Sequence, residues 1–114
     1  MKKTFPISAV MSVVTRRLLS ATLETDYEIL AFLLRMPSIS QPDSHSYEIA
    51  QRELYHQHPQ LADGKTQFAM GELILFLETP SGNASPKELI LGWLSRESTR
   101  LGTTTFEIEG GVKS

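Results

Sequence analysis

The side chains of this chain best able to do chemistry are three histidines, His45, His56 and His58, together with acids grouped at Glu24, Asp26 and Glu28 and again at Glu107 and Glu109. Imidazole and carboxylate can ligate a metal or move a proton near neutral pH, so a small metal- or ligand-dependent enzyme using His45 with His56 or His58 is one functional reading. Spacing weighs against it. Residues two apart on a helix diverge, whereas the members of a helical metal pair stand three or four residues apart. His56 and His58 also stand just before Pro59, where a helix stops and an imidazole serves terminal carbonyls and the helix dipole. The acids at 24, 26 and 28 fall where a helix begins and negative charge is favoured. Glu107 and Glu109 share one strand face and keep it wet. With no cysteine, a thiolate nucleophile, a thiolate zinc site and a disulfide are all excluded. Ser8, Thr25 and Ser85 read as helix caps, none flanked by the glycines of a nucleophile elbow. Gly110-Gly111 lacks the further glycines of a phosphate loop. The expectation is a protein with no catalytic residues, no metal ligands and no cofactor.

Charge narrows the partners. The formal net charge is -2, yet the first 20 residues carry Lys2, Lys3, Arg16 and Arg17 and no acid. Such a chain lacks the broad positive field that drives phosphate binding, so a nucleic-acid role through the basic N-terminal segment is disfavoured. The opening Met1-Lys2-Lys3 imitates a secretory leader, but Pro6, Ser8 and Ser12 interrupt the apolar run and no small-residue cleavage site follows. No apolar run reaches bilayer length. A soluble, cytoplasmic protein without membrane contact is expected. At 114 residues with 40% hydrophobic content, the chain suits a single compact domain over 1–114.

The elements that would position these residues are legible from caps and periodicity. Ser85-Pro86-Lys87-Glu88 is a capping box with proline at the first helical position, and the helix it opens closes at Gly102. Leu89, Ile90, Trp93, Leu94 and Leu101 form its apolar side, with Arg96, Glu97 and Arg100 assigned to the wet side. Thr25-Asp26-Tyr27-Glu28 is a second box before a strongly apolar helix that ends by Pro37. Asp43 or Ser44 caps a helix over 44–58 that carries Tyr47, Ala50, Leu54 and Tyr55, with Glu48 and Arg52 spaced to pair outside. Ser8 caps a short helix through Val14, although its valines also suit a strand. Asp63-Gly64-Lys65 reads as a turn, and Thr79-Pro80-Ser81-Gly82-Asn83 as another. Between them the block 68–77 could be strand, but its leucines, Met70, Glu72 and Glu78 favour helix. Thr104, Phe106 and Ile108 alternate with Thr105, Glu107 and Glu109 as a half-buried strand, which pairs with 4–7. The fold class is α+β: a mostly helical domain of four to five helices with a small two-stranded sheet joining its N- and C-terminal segments.

At Phe5-Pro6-Ile7-Ser8-Ala9-Val10-Met11-Ser12-Val13-Val14-Thr15, followed by Arg17-Leu18-Leu19, the chain resembles a family of short bacteriophage and prophage accessory proteins. Tyr27-Glu28-Ile29-Leu30 with Phe32, then His45, His58-Pro59 with Leu61, and Trp93-Leu94 before Gly102 extend the similarity. Arg16 stands where the family pattern has glycine. The resemblance implies a product acting in the cytoplasm of a bacterial host by binding a host protein, including components of antiviral defence. It implies no catalytic residues. The partner surface is placed on the helix 44–58, at Glu48, Arg52, Tyr55, His56 and His58. Homodimerisation is the alternative use for the apolar surface of the second helix and the 68–77 block.

Overall fold

The computed structural model describes residues 1–17, 19, 23–39, 41–78 and 85–111. In chain order these form strand β1 (Lys2–Pro6), helices α1 (Ile7–Thr15), α2 (Leu23–Leu34) and α3 (Ser44–Gln57), a short 3-10 turn (Pro59–Ala62), helices α4 (Gly64–Glu78) and α5 (Pro86–Leu101), and strand β2 (Thr105–Glu109). This is the expected α+β architecture, with the two ends of the domain joined in one antiparallel sheet. The turn sequence 79–83 lies outside the described residues.

The sheet register runs from Lys2 opposite Glu109 to Pro6 opposite Thr105. Phe5, Phe106 and Ile108 face the core, while Lys2, Thr4, Glu107 and Glu109 are exposed. Gly110 N donates to Met1 O and Ile7 N to Thr104 O, each at 2.9 Å. These bonds bracket the ladder and assign its remaining bonds to Lys3 and Phe5, so the backbone of Lys2, Thr4 and Pro6 points away from β2. Pro6 therefore costs the sheet no donor.

Helix α1 is almost wholly buried, which explains why its valines read equally as strand and helix: a buried segment has no polar face to reveal its period. It starts at Ile7 behind Pro6, without a side-chain cap. Ser8 is therefore not the cap expected of it. Instead Ser12 Oγ donates to Ser8 O and Thr15 Oγ1 to Met11 O, both at 2.8 Å, so the buried hydroxyls are satisfied inside the helix. Arg16 terminates α1 with φ 57°, and Arg35 follows α2 with φ 58°. Both close their helices with paired amide bonds: Arg17 N to Ser12 O and Arg16 N to Val13 O, then Met36 N to Ala31 O and Arg35 N to Phe32 O. That left-handed position ordinarily favours glycine.

Two start signals need correction. Helix α2 begins at Leu23, so Thr25 lies within the first turn rather than capping it. Asp63-Gly64-Lys65 is not a separate turn but the start of α4, where Asp63 Oδ1 accepts the Lys65 amide at 2.7 Å. The 68–77 block is helical, as its composition favoured. In α5 the Ser85 cap holds, accepting the Glu88 amide at 3.2 Å, and Gly102 closes the helix with φ 75°. Glu97, however, is buried at 5% exposure rather than wet. It lies four residues from both Trp93 and Leu101 and so shares their face. Its Oε2 accepts from Arg100 Nε at 2.8 Å, and Arg100 also donates to Thr66 Oγ1 of α4 at 2.8 Å. Trp93 is core, 3% exposed, with its indole N–H donated to Ala69 O at 2.9 Å. None of the described helices is long and apolar enough to cross a membrane.

Candidate functional site

Helix α3 was expected to carry the partner surface, and the structure divides its residues between two tasks. Asp43 caps the helix, its Oδ1 accepting the Ser46 amide at 2.8 Å and the Ser46 hydroxyl at 2.9 Å. These two bonds hold the Asp43 carboxyl below its ordinary range. Glu48, Arg52 and His56 are exposed, and Arg52 Nη2 pairs with Glu48 Oε1 at 3.3 Å. Spaced by four residues, they form one polar stripe.

Tyr55 and His58 turn inward. Tyr55 is half-buried and its hydroxyl accepts from Gln67 Nε2 at 3.4 Å. His58 sets its ring edge-on to Phe106, with centroids 5.1 Å apart, and its Nε2 lies 2.8 Å from Glu107 O, which requires the N–H on that nitrogen. Beside it, Gln57 Nε2 donates to Glu109 O at 2.7 Å and Gln57 Oε1 accepts from Glu109 N at 2.8 Å. The end of α3 thus occupies the outer edge of β2 as a third strand would. Gln57 escaped the sequence analysis, although an amide side chain alone reproduces the donor-acceptor pair of a peptide.

The histidines do not converge. His45 and His56 stand eleven positions apart on one helix, about 16 Å at 1.5 Å per residue. Among the described residues, no group of three or more histidines and acids could hold a metal ion. The acids at the start of α2 also separate: Asp26 is buried, and Glu24 and Glu28 are exposed. Burial raises the Tyr47 phenol above its usual value, with Tyr27 and Asp26 adding to the shift.

The four N-terminal bases are spread over the fold rather than gathered. Lys2 pairs with Glu107 at 3.6 Å, Lys3 with Glu28, and Arg17 with Glu78 at 2.6 Å, while Arg16 donates to Gln51 Oε1 at 3.1 Å. Gln51 in turn donates to Val13 O and Val14 O, tying α3 to the end of α1.

Two surface features remain. On α4, Phe68, Leu75 and Phe76 are 70%, 60% and 44% exposed. Phe68 and Leu75 lie opposite the buried Thr66, Ala69 and Leu73 of the same helix. A groove of about 560 Å³ runs along the outer side of α2, walled by Met1, Lys3, Tyr27, Phe32, Met36 and Ile39. Comparison with protein-family models, curated proteins and solved structures finds no match to this chain.

Proposed function

We propose that this protein is a non-enzymatic binding module, a phage or prophage accessory product that binds and modulates or inhibits a host bacterial protein in the cytoplasm. The outward side of α4 carries the reading: large apolar side chains, Phe68 and Leu75, left exposed two turns apart on a chain that buries a core of its own are a surface for a protein partner. Glu48, Arg52 and His56 on α3 supply further polar contacts, whereas Tyr55 and His58 serve the fold.

Affinity capture from bacterial lysate tests this. The parent should retain a saturable partner that a Phe68→Ser, Leu75→Ser double variant loses. Equal recovery by both proteins, or none by either, sinks the reading.

A further inference from the structure

The sheet has two edges, and among the described residues only one is closed. Gln57 and His58 cover the outward groups of β2. Along β1, among the described residues, no hydrogen bond reaches the outward N–H and C=O of Lys2 or Thr4, and both residues are exposed. An open edge of this kind is a template for another strand.

Helix α2 shows what lies beneath that strand. Gly111 N donates to Phe32 O at 2.8 Å, which places Phe32 at the end of β2. One helical turn earlier, Glu28 pairs with Lys3 of β1. One turn earlier again, Glu24 is exposed beside Tyr27 on the wall of the groove. A helical turn advances about 5.4 Å and neighbouring strands lie about 4.8 Å apart, so Glu24 falls under the lane next to β1. A strand in that lane presents alternate side chains to the groove, as β1 presents Lys3 to Glu28.

Building on the binding reading above, we propose that β1 accepts an extended segment of the partner protein as a third strand, with a basic residue over Glu24 and apolar residues two positions to either side in the groove formed with Tyr27, Met36 and Ile39. Main-chain bonds to Lys2 and Thr4 hold the segment, and its alternate side chains set the specificity.

The test uses the full chain and two synthetic probes, Thr-Val-Thr-Lys-Thr-Val-Thr and the same peptide with Glu in place of Lys, followed by NMR amide titration. Binding should shift the amides of Lys2, Thr4, Glu24 and Tyr27, with the Lys peptide tighter by about two- to fivefold, the range of an exposed ion pair. Glu24→Lys should invert that preference. Thr4→Pro should fold, because Thr4 N–H makes no ladder bond and Pro6 already occupies an equivalent position, but it should lose the peptide. No shift at Lys2 and Thr4 up to about 1 mM peptide overturns the proposal, as does concentration-dependent pairing of the same edge with a second copy in the absence of peptide. If Thr4→Pro still captures the host partner, the strand proposal falls and the binding reading stands.

Discussion

Gly110 and Gly71 look alike in a sequence and differ completely in the fold. A Cβ at Gly110 would sit 2.3 Å from Phe32 O, a backbone atom that cannot swing aside, whereas one at Gly71 would meet nothing within 4 Å. Gly110→Ala is therefore expected to cost about 1–3 kcal/mol as an overpacking change. Gly71→Ala should instead gain up to about 1 kcal/mol of helix propensity. Thermal unfolding of the two variants checks both, and equal melting temperatures would mean that the chain does not pass Phe32 so closely. The sequence marks Gly110-Gly111 as a strand end, but only the position of α2 shows why that end must lack a side chain. Glu97 is the converse case. Its spacing from Trp93 and Leu101 placed it on the apolar face, and its charge concealed the fact because neither its partner Arg100 nor the Thr66 hydroxyl that holds Arg100 is apparent from composition.

Elements were legible where a polar face or a cap exposed their period, as in α5 and β2, and ambiguous where burial removed it, as in α1. The join between α3 and the sheet was not legible, since it depends on which helix end meets which strand edge. Its energetic content is testable: Gln57→Ala removes two bonds to Glu109 and should cost about 1–2 kcal/mol while opening the Glu109 amide to hydrogen exchange. In the parent, the Glu109 amide should exchange slowly, and those of Lys2 and Thr4 fast. Comparable protection at all three would refute the asymmetry between the two edges. The start of α3 gives a pH signature. The Ser46 bonds stabilise ionised Asp43, so their contribution is present above the ordinary value near 3.8 and is lost as pH falls through the lower folded value. Asp43→Asn retains a capping acceptor that does not titrate, and its melting temperature should fall less than the parent's over that acid window.

At the scale of the whole molecule, the fold class and the joining of the two ends followed from local signals, whereas the apolar surfaces left exposed did not. Composition favours helix for α4, but its continuous apolar block shows no period that would tell the buried face from the side on which Phe68 and Leu75 stay exposed. Separating surface from core is what makes the binding tests interpretable. Trp93, with its ring enclosed and its N–H bonded to Ala69 O, should cost about 3–5 kcal/mol as Trp93→Ala. Phe68→Ser with Leu75→Ser should stay within about 1 kcal/mol of the parent, because both residues are mostly exposed and each exposed substitution ordinarily changes stability by no more than about 0.5 kcal/mol. Denaturant unfolding of the parent and both variants decides this. A double variant as unstable as Trp93→Ala would place the α4 stripe in the core and remove the surface on which the proposed binding function rests. A stable double variant that fails to capture a protein the parent retains would tie that loss to the exposed apolar stripe itself.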